Sequence, residues 1–373
     1  MPAPVITNPQ TLLASNTSAI YIKTQTTLGA CVWDFSTPVT GFPAAGDAVR
    51  VLGTPSFTPR GAGIIARGDQ MTPWGGMQAP RTGGLGWDIT MQTELYWQFS
   101  PPADTLALPN TQLAPLFRAM PWDISLTGSG LNTTLAVQPF FVAGVDSTGT
   151  PVTYRDTTPY ACEPFSICMV ETNGEVFAAY DCIATCKFSW DYGQRIMLDW
   201  TIKGKWVNVG SYSSSFPAPA YATIADQPPL VGTNCSVAMT VTAPQVNLLA
   251  NINALDKISF EPGWGLQDVG DMREQYGFGL GFAALTNAPT IEMQVADFTQ
   301  TLQPDWTQAQ ANTSSLTCAV TITVGANTIT ITLNNCYQMA FPSKVDSNGH
   351  RATGIKLGAS PTSNTTQATI VFV

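Results

Sequence analysis

Three acids and one histidine are the first places to look for chemistry in this chain. Asp268, Asp271 and Glu274 stand close together with Arg273 among them. Converging carboxylates bind calcium, and two carboxyl groups on either side of a sugar linkage hydrolyse it. Both sites need further acids brought in from elsewhere, so this cluster by itself predicts a solvated loop face. His350 is the sole histidine and falls in the turn NGHR, which leaves histidine-based zinc binding without ligands. The eight cysteines, Cys31, Cys162, Cys168, Cys182, Cys186, Cys235, Cys318 and Cys336, form no C-x-x-C pair. They are expected reduced and half-buried in strands. No G-x-S-x-G elbow, phosphate loop or G-x-G-x-x-G helix start occurs. Phe278-Gly279-Leu280-Gly281 lies in a β context, where glycine permits a bend. The expectation is a non-enzyme with no catalytic, metal or cofactor residue.

The elements that would position any site read as short strands. AIYIK (Ala19 to Lys23) and ACVWDF (Ala30 to Phe35) alternate with period two, and further strands start at Ala48 and Asp88. LAVQPFFVAGV and TPVTYRD flank the turn DSTG, and SICMVETNGEVFAAY turns at Asn173-Gly174. From Cys182 to Trp206, the residues Phe188, Trp190, Ile196, Leu198, Trp200 and Ile202 alternate across a turn. Cys318 to Met339 forms another hairpin. A DSNG turn at Asp346 to Gly349, a strand at Gly354 to Leu357 and a final strand ATIVFV follow. One short helix is expected, where Leu113, Leu116, Phe117 and Met120 recur at three- and four-residue spacing and Pro115 limits the length.

One stretch occurs twice. Ser-Phe-x-Pro at Ser56 to Pro59 and at Ser259 to Pro262 opens a glycine-rich loop that ends in a short strand, ITMQT at Ile89 to Thr93 and IEMQV at Ile291 to Val295. The corners lie 203 residues apart and the strands 202. A second echo equates Cys186–Gly193 with Cys318–Gly325, which share the same seven-residue spacing before a return strand. These landmarks predict a duplicated domain. Residues 1–210 form the first copy with an insertion over about 98–170, 211–232 a Pro/Ser-rich linker, and 233–373 the second copy.

Charged residues make up 11 % of the chain, against roughly 25 % in an average soluble domain. Either neighbouring copies cover much of the surface, or its many Ser, Thr, Asn and Gln residues supply solubility without charge. The net charge of −9 opposes a nucleic-acid grip, which needs clustered Lys and Arg, but suits a wall along which DNA passes without sticking. No run approaches the ~20 apolar residues of a membrane-spanning helix, and the N-terminus does not read as a secretion signal. The ten tryptophans raise carbohydrate binding as an alternative, although most lie in alternating strands, where core packing is their usual role.

The order of these features resembles the major tail tube protein of long, non-contractile-tailed (siphovirus-type) bacteriophages. The resemblance rests on PSFTP, a long loop, WDITMQTEL, the helix near LAPLFRAM and the hairpin CKFSWDYGQRIMLDWTIKGKW. ISFEPGWG, APTIEMQV and TCAVTITVGANTITITL follow after the Pro-rich connector. It implies a mainly β protein with two tandem β-sandwich or barrel-like tail-tube domains, a short flanking helix and long loops. It further implies a virion structural protein, assembled in the host cytoplasm, whose stacked rings form a negatively charged conduit for DNA ejection. Two copies per chain predict three chains per pseudo-sixfold ring, with six chains as the alternative. The implied partners are the chain itself, tail terminator and baseplate or tail-tip proteins, and the tape measure protein and DNA in the lumen; no membrane is involved. The expected contacts between subunits and rings are Arg60, Met71, Trp74, Met77, Trp264, Arg273, Tyr276, Phe278 and Phe282. The glycine-rich loop of the first copy packs either on its own sheet or on a neighbour. A capsid or decoration protein and a glycan-binding β-sandwich are the rival readings.

Overall fold

A computed structural model of the chain describes residues 18–35, 42–61, 64–65, 81–82, 85–95, 112–120, 123–127, 132–137, 143–145, 151–153, 163–171, 175–207, 209, 219–220, 235–243, 255–267, 282–285, 288–296, 315–324, 327–347, 349–359 and 367–372. The fold is mainly β, with one short α-helix and one 3-10 turn (Ala45–Asp47) among the described residues. The first half contains β1 (Ala19–Thr24), β2 (Ala48–Val49), β3 (Leu52–Gly61), β4 (Ile64–Ile65), β5 (Arg81–Thr82) and β6 (Leu85–Glu94). Helix α1 (Ala114–Arg118), β7 (Asp123–Thr127), β8 (Asn132–Val137), β9 (Ala143–Val145), β10 (Pro151–Thr153), β11 (Phe165–Val170), β12 (Val176–Asp191) and β13 (Met197–Trp206) complete it. The second half contains β14 (Cys235–Ala243), β15 (Leu255–Glu261), β16 (Trp264–Gln267), β17 (Phe282–Leu285) and β18 (Thr290–Ala296). It ends with β19 (Ser315–Val324), β20 (Asn327–Gln338), β21 (Ser343–Ser347), β22 (His350–Ala359) and β23 (Ala368–Phe372). Seventeen strands share one sheet, curled into a half-barrel, and β4–β5, β9–β10 and β16–β17 are separate two-stranded ribbons.

The sheet uses one strand order twice. In the first half β1, β11, β12, β13, β6 and β3 are successive antiparallel neighbours. In the second, β14, β19, β20, β22, β18 and β15 follow the same order. At the Ser-Phe-x-Pro echo the registers also agree. Ser56 faces Thr90 and Phe57 faces Ile89, while Ser259 faces Glu292 and Phe260 faces Ile291. On the far side Met91 faces Trp200 and Met293 faces Ile355. Each corner leads into a small hairpin, β4–β5 or β16–β17.

The second sequence echo is displaced. Cys186 lies in β12, but Cys318 lies in β19, whose counterpart is β11; Gly325 is outside the described residues. The counterpart of β12 is β20 together with β21. The two stretches look alike because each is an alternating strand before a turn, and period-two alternation leaves register undetermined. Since β11 belongs to the repeated set, the inserted segment ends before Phe165, and α1 with β7 to β10 lies within it. Ala30 to Phe35 is irregular rather than a strand. Its apolar groups serve a small second core, where buried Trp33 and Phe35 pack with Tyr21, Ala48 and Cys168, and Val32 donates its N–H to the Ser166 hydroxyl at 3.2 Å.

The main core runs through both halves as one cluster that includes Ile89, Phe188, Trp200, Phe260, Ile291 and Leu357. Helix α1 covers it from one side. Its stripe, Leu113, Leu116, Phe117 and Met120, is buried, and Phe117 meets Trp200 edge-on at 5.3 Å between ring centroids. Pro115 occupies the first turn, where its missing N–H leaves no helical bond unmade. Within the expected linker, Ala220 is tied to the first half. Its N–H donates to the Ala45 carbonyl at 2.9 Å, and its carbonyl accepts from Gln112 Nε2 at 3.3 Å. The last strand, β23, pairs with β20 and with β8 of the inserted segment.

Candidate self-assembly edges

Eight strands lie side by side in the order β3–β6–β13–β12–β15–β18–β22–β21, four from each half. Alternation gives this ribbon two unlike faces. Ile89, Trp200, Phe188, Phe260, Ile291 and Leu357 point into the core. Neighbouring residues in the same strands, Thr90, Asp199, Lys187, Glu261, Glu292 and Lys356, occupy the opposite face.

On the polar face the charges are matched across strands. Lys187 Nζ lies 2.7 Å from Glu261, Lys257 3.4 Å from Asp191 and Lys203 3.8 Å from Asp88, and Lys356 pairs with Glu292. Gln92 Nε2 donates to Asp199 at 2.7 Å. The hydrogen bond to Glu261 holds the Lys187 ammonium above the ordinary lysine range, against a smaller opposing effect of burial. A groove of about 560 Å³ opens on this face between the halves, lined in part by Thr185, Lys187, Asp199, Glu261, Thr290 and Lys356. Each of these four lysines stands beside a carboxylate, so among the described residues this face presents no basic patch to a phosphate backbone.

The joint between the halves is an antiparallel pairing of β12 with β15, with Phe188 opposite Phe260, Ser189 opposite Ser259 and Trp190 opposite Ile258. The Phe188 and Phe260 rings meet at 5.8 Å beneath it. The joint is heterologous: the corner strand of the second half adds to the hairpin strand of the first. Among the described strands, the equivalent corner strand, β3, pairs on one side only, with β6, and the equivalent hairpin strand, β21, only with β22. Exposed apolar side chains flank both, Leu52 at the start of β3, and Met339 and Phe341 just before β21.

Arg60 is the one expected contact residue whose side chain is described. Its Nη2 reaches across β6 to the Gly204 carbonyl at 3.2 Å, and its Nε lies 3.3 Å from Asp88. Burial lowers its pKa, and Asp88 opposes that shift. A Cβ on Gly86 would meet the Arg60 guanidinium at 2.8 Å, so glycine there leaves space for this clasp. Trp264 and Phe282 lie on the paired strands β16 and β17. Met71, Trp74, Met77, Arg273, Tyr276 and Phe278, and the acids Asp268, Asp271 and Glu274, fall outside the described residues.

Compared with known proteins, the chain matches no family model and no curated protein. Among the described residues no group of His, Cys, Asp and Glu is arranged to hold a metal. Cys168, Cys182, Cys186, Cys318 and Cys336 are thiols outside any disulfide and are buried rather than half-buried, and Cys31 is half-buried. Burial raises their thiol pKa values, that of Cys336 to about 12. Cys162 and the Cys235 side chain lie outside the described residues. No described helix is long and apolar enough to cross a membrane. Sequence reasoning did not find the edge residues Ser56, Thr58, Ser343 and Val345, nor the joint pairs Lys187–Glu261 and Lys257–Asp191. The only signal for them was strand alternation, which does not say which strand will be the neighbour.

Proposed function

We propose that this chain is a virion structural protein that polymerises into stacked rings, forming the tube of a phage tail through which DNA is ejected. The observation that carries this reading is the tandem eight-stranded ribbon. It already contains one head-to-tail joint and ends in the two strand types that form that joint. A head-to-tail contact repeated by rotation closes a ring, and closure is the general way to remove open sheet edges. With two equivalent units per chain, three chains complete a pseudo-sixfold ring. The closed barrel then has more strands than the 16–18 that already surround an aqueous channel in porins. Its polar, charge-paired face suits the lumen, and the hairpins leading from β3 and β15 suit contacts between rings. On this reading the tube is assembled in the host cytoplasm, binds terminator and tip proteins at its ends, and lets the tape measure protein and DNA pass without specific binding.

Negative-stain microscopy of the purified chain tests the proposal. Hollow tubes built of threefold rings are expected; a monomer at high concentration, or a closed shell, would overturn it. A capsid or decoration protein predicts the shell, and a glycan-binding sandwich predicts the monomer.

A further inference from the structure

Resting on that ring-forming reading, we infer that β3 of one chain adds to β21 of the next in a defined register: Thr58 opposite Ser343, Phe57 opposite Lys344 and Ser56 opposite Val345. The register follows from the internal joint. Ser56 and Ser259 are equivalent because they face Thr90 and Glu292, matching positions of the ITMQ and IEMQ strands. On the hairpin side, Lys187 faces Asp199 and Ser343 faces Gly354, and these two face the matching glutamines Gln92 and Gln294. Lys187 therefore corresponds to Ser343, and Ser189 to Val345. The turns agree as well, since Gly193 and Gly349 hold φ of 75° and 80° at the same point beyond the two strands. Placing β3 on β21 as β15 lies on β12 then sets the pairs named above. Leu52, Met339 and Phe341, exposed beside these edges, supply apolar surface for the contact to cover.

The two kinds of joint differ in chemistry. Inside the chain, Lys187 and Glu261 form an ion pair across the seam at 2.7 Å. Their counterparts between chains, Ser343 and Thr58, are uncharged. The assembling joint is thus held by main-chain hydrogen bonds and apolar cover without the counterpart of this ion pair, whereas the joint within the chain carries ion pairs that salt screens.

Cross-linking tests the register. In the internal joint the Tyr192 N–H donates to the Asp256 carbonyl at 2.7 Å, so by alternation Ser189–Ser259 and Lys187–Glu261 are non-hydrogen-bonded pairs. Cα atoms in such pairs lie about 4.5 Å apart, within disulfide reach. Chains carrying S56C are mixed with chains carrying V345C, assembled and oxidised, with wild-type chain as the control for native thiols. A disulfide-linked dimer is expected only in the mixture, with the linking peptide identified by mass spectrometry. T58C mixed with S343C is the second pair, should either first variant fail to fold. Tubes that form without either cross-link would overturn the register but leave the tube reading standing. Wild-type chain that never assembles would overturn both.

Discussion

Asp181 and Asn335 occupy the same place in two copies of one bulge, and both hold left-handed backbone, with φ of 49° and 45°. At each, the hairpin strand slips register against its neighbour: β11 and β12 shift between Phe165 and Ile167, and β19 and β20 between Leu316 and Cys318. Asp and Asn tolerate this conformation better than other non-glycine residues. The Asp181 site has also become a buried polar knot. Its carboxylate lies 3.0 Å from Lys205 Nζ and accepts from Gln25 Nε2 and the Gly29 N–H, while the Asp181 N–H donates to Gln25 Oε1.

Asp181→Ala strands the buried Lys205 ammonium and strains the bulge. A loss of about 3–5 kcal/mol in denaturant unfolding is expected from breaking such a pair. Asn335→Ala strands no buried charge and meets a backbone penalty of about 1–2 kcal/mol, so its loss is expected to be smaller. Equal losses at the two sites would contradict this account.

The Lys187–Glu261 pair predicts a dependence on alkaline pH. A lysine whose folded pKa is raised contributes stability that is fully present below its ordinary value of 10.5 and is lost as pH rises through the folded value. The stability difference between wild type and Lys187→Met should hold constant at neutral pH and vanish at high pH. A difference that grew with pH would contradict the assignment.

Trp200 anchors the first half of the ribbon, with Phe117 against its ring and Thr93 Oγ1 accepting from its Nε1 at 2.8 Å. Trp200→Ala should destabilise the fold by about 3–5 kcal/mol in thermal or denaturant unfolding. Trp200→Phe should cost less, because only the hydrogen bond and part of the packing are lost.

On the proposed tube reading, shortening the first glycine-rich loop should separate folding from stacking. The Arg60 clasp belongs to the sheet, so the deletion should spare it and join residue 65 to residue 81 through a short glycine linker. A folded subunit with wild-type circular dichroism that forms rings but no long tubes is expected in micrographs. Normal tubes would remove the loop from the contact between rings.

Much of the architecture was legible from local pattern. The stripe of Leu113, Leu116, Phe117 and Met120 located the helix, and the alternation from Phe188 to Ile202 located the longest hairpin. Both signals depend on side chains a few residues apart, and burial of one face enforces them. The same logic misled at Ala30 to Phe35, where apolar side chains fill a second core from an irregular backbone, and at Cys318, where one alternating strand was matched to the wrong relative. The Ser-Phe-x-Pro echo succeeded because a proline corner and an I-x-M-Q strand carry a register that alternation lacks.

The sequence by itself determined that the chain is built of short strands and that a corner-and-strand unit occurs twice. Only the tertiary structure decided which strands became neighbours. Joining β12 to β15 depends on backbone hydrogen bonds between segments some 70 residues apart, for example Phe188 and Phe260, and main-chain groups are the same in every residue. That non-local choice turned two similar halves into one ribbon and set β3 and β21 at its ends.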